Sequence, residues 1–303
     1  MNRITVTLPK NESELCTFVK VCDNRFERTL DRVVRAVAKT QNLKLIGLTG
    51  PTCAGKTTAA NKLTDYLETH GHRVHVISVD DFYYDKEYLN QRAEEDPTIE
   101  IDYDSESTID VELLAEKAES LLDGRETVMP RFDFQSGKRV EGDRICPQAE
   151  DIFLFEGIQI LYPRVDQILS RESYRSIYIC PSSELELDGS VFVPNELRLM
   201  RRLVRDYYRR ASKPDFTFYL WESVRANEEK SIFPNAHRCH EFIDSTMAYE
   251  VGMLKPHLQR ILSAITKDSP YYTQSQEILK KIARVRVVPS EYMTPNSLYK
   301  EFI

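Results

Sequence analysis

Gly50 and Gly55 bracket Pro51, Thr52, Cys53 and Ala54, and Lys56, Thr57 and Thr58 follow at once. A chain spaced in this way can hold phosphate. Glycine lets the backbone curl until several N–H groups converge on one point, and a helix starting at the lysine adds its positive end to the same point. In this G-x-x-x-x-G-K-[ST] pattern the lysine, Lys56, neutralises β- and γ-phosphates, and the hydroxyl after it, on Thr57, is a ligand for Mg²⁺. The pattern carries meaning only between a strand and a helix. Leu45–Leu48 is a short apolar run, and Ala60, Leu63 and Leu67 recur at helical spacing within 56–69, so both flanking elements are expected. A chance glycine-rich turn would have to reproduce every one of these features.

Two further strand ends carry carboxylates. Val74–Val79 reads as a strand that delivers Asp80 and Asp81, and the nearly continuous apolar run from Asp151 to Phe155 ends in Glu156 and Gly157. Ligands of open α/β sheets bind beyond the carboxyl ends of the strands. There, Asp80 can accept a proton from an attacking hydroxyl and order the water around Mg²⁺, and Glu156 can hold the metal through water. The competing reading for each is a capping or turn carboxylate, and for Asp81 that reading is preferred. A third cluster is basic. Arg198, Arg202, Arg205 and Arg209 recur at i, i+4, i+7 and i+11 in a helix over 196–210. Such a face suits a lid that closes on transferring phosphates; the alternative is a solvated basic face. His70, His72, His75 and the His237–His240 run lack the spacing of a metal site.

Composition narrows the class. The chain has 303 residues, 41% hydrophobic, with a formal net charge of −7. That is a globular chain with a sizeable core and without the basic surplus of a general nucleic-acid binder. Six cysteines without a C-x-x-C pair fit a reducing cytosol. No apolar run approaches the ~18 residues of a membrane span, and the N-terminus lacks a signal-peptide core, so a cytoplasmic protein is expected.

The elements that must position these residues follow from periodicity. A short strand or extended arm is expected around Ile4, Val6 and Leu8, and a helix over 23–40 from Phe26, Leu30, Val33, Val34 and Val37. Residues 85–109 read as an acidic loop, 110–122 as a helix, and 128–139 as a hairpin turning at Ser136-Gly137. Ser176–Cys180 is the next strand, with irregular chain to Asn195. Helical segments fill 215–265, and 274–285 forms a further helix before a docked tail.

Gly50–Thr58, Ser78–Tyr83, Arg131–Phe134, Phe155–Gly157 and Arg198–Asp206 together resemble the uridine kinase and phosphoribulokinase family of P-loop kinases, over about residues 43–265. The flanks resemble a bacterial branch whose kinases often follow a small TGS domain, which is absent from this sequence. The resemblance implies a doubly wound, mainly parallel α/β sheet flanked by helices, with a hairpin as substrate wall and an arginine-rich lid helix. It implies an N-terminal arm and helix over 1–42 packed on a kinase domain over 43–265, and a C-terminal helical extension over 266–303. ATP and Mg²⁺ are the implied cofactors. ATP would lie on Gly50 to Thr58 and Arg209; the metal on Thr57, Asp80 and Glu156; and catalysis on Asp80, Lys56 and Arg205. Asp80, Tyr83, Asp104, Phe132 and Arg202 would surround the acceptor.

The family Asp-His-Pro is Asp104-Ser105-Glu106 here, Phe132 stands where nucleoside kinases of the family carry tyrosine, and Gly137 where they carry a base-contacting histidine. The expected activity is phosphorylation of a small-molecule hydroxyl, with the 5'-hydroxyl of uridine or cytidine in first place. A sugar or polyol acceptor is the alternative, and a non-catalytic nucleotide-binding regulatory module is the alternative of another class. A small-molecule substrate, no membrane and no nucleic acid are expected, and a homo-oligomer is left open.

Overall fold

A computed structural model describes residues 2–96, 105–170 and 173–303. Five strands, β2 (Leu45–Thr49), β3 (Val74–Ser78), β6 (Ile152–Glu156), β7 (Tyr174–Cys180) and β10 (Glu241–Asp244), form one parallel sheet in the order β10-β7-β2-β6-β3. All four pairings are parallel. The sequence explains why both faces are covered. Along β6, Ile152 and Leu154 enter one core while Phe153 and Phe155 enter the other, and every one of the four is buried. Burying a side chain of that size contributes about 1.5–3 kcal/mol, so a strand apolar on both sides is stable only between two helical layers.

The first layer holds α1 (Glu12–Ala38), α2 (Lys56–Thr69), α6 (Pro194–Arg210) and α8 (Glu250–Leu262). The opposite layer holds α4 (Val111–Leu122) and α5 (Pro163–Leu169). The antiparallel hairpin β4 (Thr127–Asp133) and β5 (Lys138–Ile145) forms a sheet of its own. Chain outside the expected domain limits shares the first core: Leu15, Val19 and Phe26 of α1 pack in it with Ile282, Leu298 and Phe302. The remaining helices are α3 (Lys86–Glu95), α7 (Pro214–Asn227) and α9 (Tyr272–Ile282).

Several expectations change. α1 begins eleven residues earlier than the pattern indicated, at Glu12 rather than Asp23, capped by Asn11, whose Oδ1 accepts from the Ser13 and Glu14 N–H groups. The apolar face runs on through Leu15 and Val19, but Asp23 interrupts it, and Asp23 is buried because Tyr249, Thr294 and Ser297 donate to its carboxylate. Lys86–Glu95 is helical rather than loop: its good helix formers bury only Leu89, so no apolar stripe advertised it. The stretch after β7 is also ordered. β8 (Glu184–Leu187) and β9 (Ser190–Phe192) form a hairpin through Asp188 and Gly189, and β8 pairs in parallel with β1 (Arg3–Val6). An Asp-Gly pair between short alternating runs is the signal for such a turn.

One buried carboxylate aligns the two strands that end in the candidate site. Asp151, just before β6, accepts from Arg73 Nε at 2.9 Å and Nη2 at 2.5 Å, from the Gln148 N–H at 3.0 Å, and shares a 2.9 Å contact with His75 Nε2 on β3. Burial pushes the Asp151 carboxyl up, but these hydrogen bonds bring it down to about 2. A carboxyl lowered on folding stabilises the protein above its unfolded value near 3.8, and that stability is lost as pH falls toward 2. Asp151→Asn is therefore expected to lower the urea midpoint at pH 7, with the gap to wild type closing as pH drops from about 4 toward 2; equal midpoints at pH 7 would refute this account.

Candidate active site

The carboxyl ends of β2, β3 and β6 lie side by side: Leu48 pairs with Glu156, and Ser78 pairs with Glu156 on its other side. The chain leaves β2 through the phosphate loop. Gly50 (φ 151°) is packed so closely on the Ile179 carbonyl that a Cβ would collide with it, and Gly55 (φ 101°) has a backbone conformation that a side chain disfavours. Cys53, also at positive φ, completes the curl. Lys56 arches back over the loop, its Nζ donating to the carbonyls of Gly50 at 3.0 Å and Pro51 at 3.3 Å. Thr57 lies exposed at the start of α2, with Thr58 beside it.

Past β3 the chain makes a tight turn over Val79–Phe82, which presents Asp80. Gln159 is buried beside it and donates from Nε2 to Asp80 Oδ1 at 2.5 Å and to the Tyr83 hydroxyl at 3.1 Å. Glu156 accepts from Ser78 Oγ at 3.1 Å; burial pushes its carboxyl up, nearby Lys56 pulls it back, and Asp80 and Asp81 push it up again. A half-buried carboxylate with like-charged neighbours offers hard oxygen donors. That fits Mg²⁺, which is usually held by one or two carboxylates together with substrate phosphates. Thr57, Glu156 and Asp80 are the residues that would hold it.

Asp81 faces the other way. Its Oδ1 accepts from the Phe132 N–H at 2.9 Å, and Asp85 Oδ1 accepts from the Arg139 N–H at 2.6 Å, so two carboxylates fasten the hairpin to the sheet edge by its backbone. Phe132 is buried against Tyr83, with ring centroids 5.5 Å apart, and Phe134 packs edge-on at 5.1 Å while remaining exposed. The Lys86 side chain lies over Gly137. Asp104 falls outside the described residues.

The guanidinium row of α6 divides into separate roles. Arg198 is fully buried, paired with Glu228 at 2.5 and 2.6 Å, and reaches the Thr52 carbonyl at 3.3 Å. Arg201, which lies off the predicted face, is equally buried, paired with Glu250 at 2.8 Å, and reaches the Cys53 carbonyl at 3.2 Å. These two brace the phosphate loop from beneath. Arg202 and Arg205 share Asp206, at 3.2 and 2.8 Å. Arg209, near the exposed end, donates to the main-chain oxygens of Lys300 and Ile303. Since α6 packs between α7 and α8, it is part of the core rather than a freestanding flap.

Gln159, Asp206, Glu228 and Glu250 were absent from the sequence-derived site. An amide inside the apolar run Ile158–Leu161 was a visible signal for Gln159. Nothing local marked the two glutamates, since they lie 30 and 49 residues from the arginines they neutralise.

A glycine-framed loop between a central parallel strand and a helix, flanked by strand-end carboxylates, defines a P-loop phosphotransferase. Residues 45–251 match the Phosphoribulokinase / Uridine kinase family, and the chain belongs to that family. Its members transfer phosphate to a hydroxyl of a small molecule. The chain is 29% identical over 224 residues to a uridine kinase of Halobacterium salinarum, covering 73% of this chain and 89% of that one. It is 31% identical over 166 residues to a uridine kinase of Clostridium perfringens, covering 54% and 69%. Among solved structures, the YGR205w protein superposes with a TM-score of 0.50 at 16% identity, over 72% of this chain and 89% of the other, a likeness of fold. Among the described residues no helix is long and apolar enough to cross a membrane.

Because Glu228 neutralises the fully buried Arg198, Glu228→Gln leaves that cation without a carboxylate, while Arg225 keeps Glu229. The expected loss is about 3–5 kcal/mol in denaturant unfolding, against less than about 0.5 kcal/mol for Arg209→Ala at the surface.

Proposed function

We propose that this protein is an ATP-dependent kinase that uses Asp80 to phosphorylate a hydroxyl, with uridine or cytidine at the 5'-position as leading acceptor. The observation that carries the reading is the convergence of three strand ends, which sets Lys56, Asp80 and Glu156 around one phosphate-binding loop. The acceptor oxygen attacks the γ-phosphorus, the bond from that phosphorus to the β–γ bridging oxygen breaks, and the hydroxyl proton passes to Asp80. Gln159 holds the Asp80 carboxylate in one orientation by its 2.5 Å hydrogen bond, so that the free oxygen faces the acceptor. Lys56 and Arg205 supply positive charge to the transferring group, and Arg202, tied through Asp206, supports that placement. Bound Mg²⁺ would neutralise phosphate charge from Thr57, Glu156 and Asp80. Residues 1–42 and 266–303 serve as packed extensions of a kinase domain over 43–265.

The nucleoside reading is supported by the uridine kinases to which the chain is similar. A second reading, a sugar or polyol acceptor, is favoured by the hairpin. Tyr83, Phe132 and Phe134 make an aromatic wall, and Gly137 offers no side chain of its own beneath Lys86.

ATP consumption with Mg²⁺, measured in parallel on uridine, cytidine and a panel of sugars and polyols, tests both. Asp80→Asn is expected to lower turnover by about 10²–10⁴-fold while leaving ATP binding in place. Gln159→Leu is expected to lower kcat by about tenfold with little change in KM for ATP, as loss of one orienting hydrogen bond predicts. Turnover only on a non-nucleoside alcohol would retain the mechanism and replace the acceptor. Silence with every acceptor would favour the non-catalytic module.

A further inference from the structure

Beyond α9 the chain returns across the molecule, and its last helical turn, Leu298–Glu301, packs on α2 and the phosphate loop. Leu298 lies so close over Gly55 that a Cβ there would collide with it. Tyr299 is buried, its hydroxyl donates to Glu250, and the Tyr299 and Phe302 rings stand 5.4 and 5.5 Å from the Arg201 guanidinium. The turn is thus seated on the same ion pair that braces the loop.

This seating brings Glu301 to the start of α2. Its Oε2 accepts from Thr58 Oγ1 at 3.4 Å. The cations that act on it are Lys56, Arg205 and Arg201; burial alone pushes its carboxyl up. Thr58 is the third residue of α2, so its N–H is among those left without an intrahelical partner, at the positive end of the helix. Those are the donors that a phosphate loop offers to its ligand. Arg209, meanwhile, is engaged by the Lys300 and Ile303 oxygens at 3.3 and 2.7 Å.

We propose that residues 297–303 are an internal competitor of the nucleotide: Glu301 stands at Thr58 in place of a phosphate, and binding of the triphosphate displaces the turn and frees Arg209. The inference rests on reading the loop as the ATP site. A carboxylate held at the Thr58 hydroxyl and a phosphate on the neighbouring N–H groups carry like charges that oppose simultaneous occupancy. The apparent affinity is then the intrinsic one reduced by the fraction of molecules whose turn is open. A carboxylate that instead received hydroxyls of the nucleotide would give the opposite sign on removal.

The test is calorimetric titration of MgATP, and separately of magnesium tripolyphosphate, into the full chain and into Glu301→Gln, which keeps the shape and removes the charge. The variant is expected to bind both probes about tenfold more tightly. In the wild-type protein, saturating MgATP is expected to speed hydrogen exchange of the amides of Lys300, Phe302 and Ile303, which donate within this turn. Unchanged or weakened binding by Glu301→Gln, with wild-type binding intact, overturns the latch alone. Exchange at 300–303 that MgATP leaves unchanged or slows overturns it without recourse to any variant. Binding of MgATP by neither protein overturns the nucleotide site and the latch with it.

Discussion

A loop that binds phosphate through its own N–H groups turns its carbonyls the other way, and those carbonyls need donors where water does not reach. Here the donors are two fully buried guanidinium groups, Arg198 under Thr52 and Arg201 under Cys53. A buried cation is tolerated only when paired, so each arginine requires its own buried carboxylate, Glu228 or Glu250. Much of the surrounding architecture follows. Glu228 comes from the chain beyond α7 and Glu250 opens α8, so the helices that flank α6 are held where they neutralise the braces. The underside of the loop is thus held by charged donors, and the outward N–H groups are thereby preorganised for an anion.

The same logic extends to the strand ends. Asp151 locks β3 to β6 at one end, and Ser78 meets Glu156 at the other, so the carboxylates of the site stand at the tips of strands whose register is pinned twice. Asp80 is fixed in turn by a buried amide. Charge, orientation and placement each come from a different element, and all of them meet at the carboxyl edge of one sheet.

What could be read from sequence divides along the range of the interactions. The phosphate loop, β2, β3, β6 and α6 were legible because their signals are local: glycine spacing, an unbroken apolar run, a helical arginine period. The parallel sheet and the family followed from the order of those motifs. α3 was missed because a surface helix that buries one leucine leaves almost no stripe, and the β8–β9 hairpin because its strands are four and three residues long. The arginines were seen, but their division into braces, a pair sharing Asp206 and an exposed group was not legible. Which guanidinium is buried depends on carboxylates tens of residues away, and periodicity has no access to that distance. Asp23 misled for a related reason, since an acid on a buried face is stable only through partners just before α8 and in the tail.

The hairpin is fastened by carboxylates to its main-chain N–H groups, Asp81 to that of Phe132 and Asp85 to that of Arg139, and among the described residues its two strands pair only with each other. An anchor of that kind is indifferent to the side chains it carries. Positions 132, 134 and 137 can carry other side chains while these main-chain hydrogen bonds stay in place. The shape of the wall is thereby separable from the clasp that holds it, because the two are made by different parts of the same residues, side chain and main chain.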